Sequence, residues 1–393
     1  MVVSAGIAPL EIRFDAPATV RDALATMGRT EDVRFAPSGR RLAVACYARE
    51  QIAVAEIEIT VTASGPKIAV SSLDQLAATE LHEPHGVDFV DDDRLIVANR
   101  AGGVAVFRLP QPGTAGEMTR IAPADGDVPG PLDSPGSVAV HSFGAGHEVL
   151  VCHNWANTVT RHMLDADGML AAGEVVVRKW LDLPDGVAIS RDGRWLAVSN
   201  HNSHSVLIYD RSNLNAQADP VGILRGVHYP HGLRFAADDR RLLVADAGAP
   251  HIRVFVSSEG DWHGVGYPTA TIQVMDDHTF ALGRHDPQEG GPKGIDVDPR
   301  TNVLVVTSER LPLAFFDLTT ALGRSIPGPT HDALVRYELH VLEEKDRIKA
   351  AASEARAELR ELRQTKAWRL TKPARSTHEA VLRLRARRRS RRA

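Results

Sequence analysis

The chain reads as all-β: a six-bladed β-propeller closed by an N-terminal strand, with a C-terminal α-helical basic extension. Three observations carry this reading. One phrase returns six times: Pro and Gly, a short apolar strand, an acidic or Gly-bearing hairpin turn, a second strand ending in Asn or Asp, and a third strand. Pro84-His85-Gly86-Val87-Asp88-Phe89, Pro184-Asp185-Gly186-Val187-Ala188-Ile189 and Pro230-His231-Gly232-Leu233-Arg234-Phe235 are three of its openings. The phrase recurs roughly every 45–60 residues, the length of a four-stranded blade. The last copy lacks a fourth strand after Phe316, while Leu10–Phe14 at the other end is unassigned.

Taken in order, the inner strands begin near Asp32, Gly86, Gly136, Gly186, Gly232 and Gly294. The first copy lacks the proline but keeps Val33-Arg34-Phe35 and Leu42-Ala43-Val44-Ala45. The hairpins between first and second strands hold Pro37-Ser38-Gly39, Asp91-Asp92-Asp93, Asp192-Gly193 or Asp238-Asp239, residues that tolerate tight or left-handed turns. Fourth strands follow at Lys67–Val70, Glu174–Val177 and Thr269–Val274. Leu10–Phe14 is expected to complete the sixth blade and hide its open edge. The ring then spans about 8–320, a charged helix 331–364 that reads either as a short coiled coil or as a solvated helix leaning on the propeller, and a basic tail 365–393.

Alternating strand direction puts the Pro-x-Gly segments and the loops after second strands on one face. That face gathers His85, Asp185, His231 and Lys293 from the first kind, and Asn99, His153, Asn154, Asn200, His201, Asn202 and Asp246 from the second. Two long segments, Pro123–Ser134 and Asp276–Gly290, enter the same face; the second holds His278 and His285 and reads as a lid or an edge cover. Trp155 and Trp195 suit stacking on a sugar ring, with Trp195 placed in a strand and expected in the core.

Composition narrows the classes. Cys46 and Cys152 are the two cysteines and read as buried hydrophobes. No secretory signal or membrane span is visible, so a cytoplasmic setting is expected. From Lys366 to Ala393 eleven Lys or Arg face the single acid Glu379, a net +10 in a chain whose total is −4. A mildly acidic ring therefore carries a tail that attracts phosphates of lipid headgroups or of nucleic acid. Nucleic acid is the lesser expectation, since no nucleic-acid module is visible. Beyond Pro329, Val341, Ile348, Ala355 and Leu362 recur at heptad spacing.

Thr365-Lys366-Ala367-Trp368-Arg369-Leu370-Thr371-Lys372-Pro373-Ala374-Arg375 resembles a Ser-x-x-Trp-Arg-Leu-Thr-x-Pro-Leu-Arg segment of many bacterial glycosyltransferases and methyltransferases of surface-polysaccharide assembly. The resemblance implies that pathway, at the inner face of the cytoplasmic membrane, beside glycan-assembly enzymes. Trp368 and Leu370 among cations suit an interfacial segment.

The Pro-x-Gly phrases and the Val-Ala-Asp and Val-Ser-Asn strand ends resemble the NHL-repeat, gluconolactonase/regucalcin and lactonase group of propellers. That group includes lactonases, lyases, synthases and passive platforms. The gluconolactonase-like resemblance implies a channel metal held by a Glu, by Asn residues and by the Asp of a Pro-Asp-Gly phrase. Asp185 matches that Asp, Glu83 loosely matches the Glu, and His231 stands where an Asn is expected. The six-bladed peptidyl-hydroxyglycine lyases, also similar, hold their metal through histidines, one of them in a Pro-His phrase. His85 and His231 come from opposite blades, and imidazole suits Zn²⁺.

The expected site is thus a divalent metal, Ca²⁺ or Zn²⁺, held by His85, Asp185, His231 and Glu83. His85, Asp185 and His231 double as catalytic groups, and Asn99, Asn154, Asn200, Asp246 and Lys293 meet the ligand. The expected function is binding of a small sugar or lactone-like molecule with metal-assisted hydrolysis or lyase chemistry. A non-catalytic scaffold recruiting glycan-assembly enzymes is the alternative. The chain has no Gly-x-Ser-x-Gly elbow, phosphate loop, His-Glu-x-x-His or Cys-x-x-Cys.

Overall fold

A computed structural model describes residues 10–111, 117–121, 133–143, 146–284 and 289–328. The chain divides into two units, Met1–Pro329 and Thr330–Ala393. The second unit, with the expected helix, coiled coil and basic tail, lies outside the described residues. So do 123–132 and 285–288 of the two long segments, His285 among them.

Six sheets form the ring. Blade one runs Val33–Phe35, Arg41–Cys46, Gln51–Thr62 and Gly65–Leu76; blade two, Pro84–Asp91, Arg94–Asn99, Val104–Arg108 and Thr119–Arg120. Blade three runs Pro135–Phe143, Gly146–His153, Thr158–Leu164 and Glu174–Val177; blade four, Pro184–Ile189, Trp195–Asn200, Ser205–Asp210 and Gly222–Leu224. Blade five holds Pro230–Phe235, Arg241–Asp246, His251–Val256 and Ala270–Gln273. Blade six holds Pro292–Asp298, Val303–Ser308 and Ala314–Asp317.

Each sheet buries both faces, so the second strands are apolar throughout. In Arg241–Asp246, Leu242 and Val244 enter the core shared with blade four, while Leu243 and Ala245 enter the core shared with blade six. The period of two therefore sorts side chains between two cores rather than between core and water. Trp195 is fully buried, as expected of a strand residue, and its indole donates to the Gly260 carbonyl. Cys46 and Cys152 are buried free thiols.

The N-terminal strand closes the ring. Glu11 and Ile12 pair antiparallel with Phe316 and Phe315 as the fourth strand of blade six. The same segment then crosses to blade one, where Phe14 and Asp15 pair in parallel with Ile68 and Ala69. Phe14 meets the Phe315 ring edge to face at 5.5 Å. Gly264–Gly266 and Ile326–Pro327 add fifth strands to blades four and five, which leaves fewer unpaired edges.

The Pro-x-Gly phrase is part of the sheet itself. Pro and Gly are the first residues of the inner strand, and the pairing slips between them: Pro84/Gly86, Pro135/Ser137, Pro184/Val187, Pro230/Leu233 and Pro292/Ile295. A bulge re-aims the residue it contains, so x turns toward the ring axis. The glycine is required by contact. A Cβ on Gly186 would lie 2.3 Å from the His231 carbonyl oxygen, and one on Gly232 would lie 2.6 Å from that of Lys293. Adjacent blades approach to backbone contact here, and no side chain fits between them.

If the crossing segment closes the ring, removing residues 1–15 should lower the melting temperature of the whole propeller in one transition. Phe14→Ala alone should cost about 2–3 kcal/mol in denaturant unfolding. Unchanged stability in both variants would refute the closure.

Candidate functional site

The bulged residues form a ring at the mouth of the channel. Blades two, four, five and six supply His85, Asp185, His231 and Lys293, and blade three supplies Gly136, which has no side chain. Blade one supplies Glu31: Thr30-Glu31-Asp32-Val33-Arg34-Phe35 stands in register with Pro230-His231-Gly232-Leu233-Arg234-Phe235. Glu289, from the segment before blade six, joins the ring at its side. All but Glu289 are nearly inaccessible.

Ion pairs run around this ring. Lys293 Nζ lies 3.1 Å from Glu31 and 2.9 Å from Glu289. His231 Nδ1 donates to Asp185 Oδ2 at 2.8 Å, and its Nε2 lies 3.7 Å from Glu289. His85 Nδ1 donates to the Gly136 carbonyl at 2.6 Å, since a carbonyl can only accept. Its Nε2 faces Glu31 Oε2 at 3.5 Å, too far for a hydrogen bond. The two imidazoles stack with centroids 6.0 Å apart.

Two buried atoms here have no hydrogen-bond partner: His85 Nε2 and Glu31 Oε2. They border a cavity of about 10 Å³, also lined by Gly136, Asp185 and His231. That is room for one water or one monatomic ion. Glu31, His85 and His231 each bring a ligand atom to within 4.8 Å of the others, and Asp185, His201 and His231 form a second such group.

Charge is divided sharply. Burial, helped by the Arg100 charge, lowers His85 to about 4, so this imidazole is neutral. Burial would also lower His231, but Asp185 and Glu289 outweigh it and raise the group to about 9. Burial opposes ionisation of Glu31, yet Lys293, His85 and Arg29 bring it down to about 2. Asp185 is likewise held well below the carboxylate range by His231 and His85, against burial.

The expected metal group His85, Asp185 and His231 therefore shares one place, with the roles redistributed. Asp185 is bonded to the far nitrogen of His231, and the carboxylate facing the imidazoles is Glu31. Glu83 is half-buried outside either ligand group, where its carboxylate meets the Tyr47 hydroxyl. Asn154 reaches the ring, donating to Asp185 Oδ1 at 3.0 Å and to the Pro184 carbonyl at 2.9 Å. Lys293 is in the ring itself.

Asn99, Asn200 and Asp246 hold loops. Their Oδ1 atoms accept from the backbone N–H of His82, Asp182 and His228, each two residues before the proline of the same blade. His153 does this in blade three, accepting from Asp133. Trp155 is exposed, and His278 is exposed on the helix Asp277–Gly283.

Sequence reasoning missed Glu31, Glu289 and Arg100. Glu31 was available from its register with His231. Arg100 stands where Asn154 and His201 stand in their blades, each donating its N–H to the carbonyl just before the inner-strand proline, whereas Glu289 lies in a connection without a repeating position.

A second layer plugs the channel below. Arg34 pairs with Asp32 at 2.6 Å and approaches Asp88 at 3.9 Å, while Arg234 pairs with Asp296 at 3.2 Å. The three carboxylates also tie blades together. Asp32 accepts from Val87 N, Asp88 from Val140 N and Asp296 from Phe35 N, each in the next blade. A ligand reaches the ring from the mouth face.

Residues 8–130, under a third of the chain and mainly its first two blades, match the family described as the lipoprotein LpqB beta-propeller domain. No curated protein sequence matches. Among solved structures, the chain is similar to a putative gluconolactonase, at 17% identity and TM-score 0.46, with 77% of this chain and 91% of that one covered. It is similar to a calcium-binding regucalcin from Agrobacterium tumefaciens at 13% identity and TM-score 0.45, over 77% and 92%. A functionally unknown protein from Desulfotomaculum acetoxidans is similar at 15% identity and TM-score 0.47, over 77% and 86%. The six sheets themselves establish the propeller.

The second layer generates a pH dependence. Burial pushes Asp88 up to about 7 against the pull of Arg34. A carboxyl raised in the folded state favours folding while protonated, and that contribution is lost as pH rises through its folded value. Stability should therefore fall between about pH 4 and pH 7. Asp88→Asn, less stable at every pH because an amide N–H would face the Val140 N–H, should show a shallower slope over that window. An identical slope in the variant would contradict the assignment.

Proposed function

We propose that the channel mouth holds one divalent metal ion and uses it on a small polar ligand, sugar- or lactone-like, as a metal-assisted hydrolase. The observation that carries this is the pair of buried, unpartnered atoms, His85 Nε2 and Glu31 Oε2, on an ion-sized cavity beside His231. Buried polar atoms without partners are costly, and an ion satisfies both.

The donor set fits the group. His85 and His231 have their Nδ1 atoms taken by a carbonyl and a carboxylate, the outer contacts that fix metal-binding imidazoles. Two nitrogens and one carboxylate suit Zn²⁺ or a similar ion better than Ca²⁺, which takes oxygen ligands. Glu31, His85 and His231 would hold the ion. When bound, such an ion supplies Lewis-acid polarisation of a carbonyl or a more acidic water.

The chain's own groups do the rest. Asp185 orients His231, and the Gly136 carbonyl orients His85. Lys293 neutralises Glu31 and Glu289 and keeps both carboxylates in place. Gly136 leaves one sixth of the ring open. The cavity excludes a sugar, so the ligand rests above it with its reacting group toward the ring.

The setting we propose is surface-polysaccharide assembly at the inner face of the cytoplasmic membrane, on the strength of the Thr365–Arg375 segment and the +10 tail. No helix among the described residues is long and apolar enough to cross a membrane, so attachment falls to the tail.

Purified protein should carry one equivalent of Zn²⁺, removable by a chelator, with hydrolysis of a test lactone such as D-glucono-1,5-lactone lost and restored with it. Glu31→Gln and His231→Ala should remove the metal while the ring melts cooperatively. Asp185→Asn should weaken it roughly 10- to 100-fold. Full occupancy in His231→Ala, or none in the wild type, refutes the reading.

The full chain should also bind anionic vesicles, less as salt rises, since each cation near the surface contributes about 1 kcal/mol. Truncation at Lys366 should abolish this. Tight binding to nucleic acid at physiological salt, with vesicles ignored, would overturn the membrane setting.

A further inference from the structure

Among the described residues four cations surround the mouth, and three are committed. Arg29 pairs with Glu31, approaches Glu309 at 3.7 Å and lies over the Tyr47 ring at 4.6 Å. Lys293 is held between Glu31 and Glu289, and His231 is bonded to Asp185.

Arg100 differs. It follows Asn99 at the end of the second strand of blade two, and its backbone is pinned by donation to the Glu83 carbonyl at 3.0 Å. Its side chain is only 21% exposed, and its closest carboxylate, Asp185 Oδ1, stands 3.8 Å from Nη2. That is beyond hydrogen-bond length. Its Nε is buried with no partner.

A guanidinium has five N–H donors in a planar fork, and a buried one is ordinarily bonded to oxygen. Here the fork stands beside the ring without a bonded anion among the described residues, while Asp185 is already engaged by His231 and Asn154. A carboxylate or phosphate matches that fork through two parallel bonds.

We infer that Arg100 is the anchor for an anionic group on the ligand, so that the site prefers an acidic sugar derivative, carrying a carboxylate or a phosphate, to a neutral sugar or lactone. This rests on the reading of the mouth as the ligand site and names its substrate class. The anion docks on the blade-two side of the ring and leaves the ligand's carbonyl or hydroxyl groups to face Glu31, His85 and His231. Arg100 fixes orientation and selects for charge.

The test is calorimetric titration of the full-length protein, with and without one equivalent of Zn²⁺, using D-glucuronate, D-glucose 6-phosphate and D-glucose. At least one of the two anions should bind more tightly than glucose, and which of them does so separates a carboxylate from a phosphate ligand. Arg100→Ala should weaken that anion roughly 10- to 100-fold and leave glucose unchanged. Arg100→Lys, which keeps the charge and loses the fork, should fall between. Zinc content should stay the same in both variants.

The inference is overturned if Arg100→Ala binds the anions as the wild type does, if glucose binds equally well, or if none of the three binds. Zinc retained while the anions ignore Arg100 defeats this inference alone. Anion binding through Arg100 in a protein that takes up no zinc defeats the metal reading alone.

Discussion

The rest of the molecule depends on one close approach between neighbouring blades. At the start of four of the six inner strands the backbone of one blade touches that of the next, and glycine is what permits it. Gly86, Gly186, Gly232 and Gly294 each stand where a Cβ would fall within 2.6 Å of a neighbouring blade's backbone. The bulge beside each glycine then turns one residue per blade to the axis. Tight packing of the ring and presentation of the ring's side chains are thus one device. The residue that cannot point into a core, because the blades leave no room, points into the channel.

That device also explains the electrostatics. Groups brought to the axis lose water without leaving one another's company, so each must find its partner among the other five positions and the few side chains that lean in. Lys293, Glu31, Asp185, His231 and Glu289 do so. His85 does so only through Nδ1. Among the described residues one imidazole nitrogen and one carboxylate oxygen of the ring face each other unbonded, and our proposal places an ion there. The layer below, built on Arg34, Arg234, Asp32, Asp88 and Asp296, seals that place from the far side while its carboxylates tie adjacent blades.

Much of the architecture was legible in the residues. The repeat of Pro-x-Gly and its following strands marks six blades because every blade must satisfy the same contact. The unpaired Leu10–Phe14 showed where the ring closes, although its crossing from blade six to blade one could not be read, because both partners are equally apolar strands. His85, Asp185 and His231 stood out because they occupy the one position that varies within an otherwise constant phrase. Glu31 was hidden by the loss of proline and glycine from the first copy. Asn99, Asn200 and Asp246 repeat as faithfully as the bulged residues, but for a different reason: each holds the loop before the inner strand of its own blade. Period alone does not separate a residue that faces a ligand from one that faces its own backbone. Arg100 shares its position with Asn154 and His201 and was legible from them, while Glu289 belongs to a connection whose course depends on the whole ring.

The central claim is that an ion belongs between His85, Glu31 and His231. Anomalous diffraction at the zinc absorption edge, from crystals of the full chain grown with one equivalent of Zn²⁺, tests it without reference to any substrate. The account predicts one strong peak at the channel mouth, within bonding distance of His85 Nε2 and a Glu31 carboxylate oxygen, with the His85 and His231 Nδ1 contacts to Gly136 and Asp185 retained. A mouth with no peak, or a peak held only by surface residues, would contradict it.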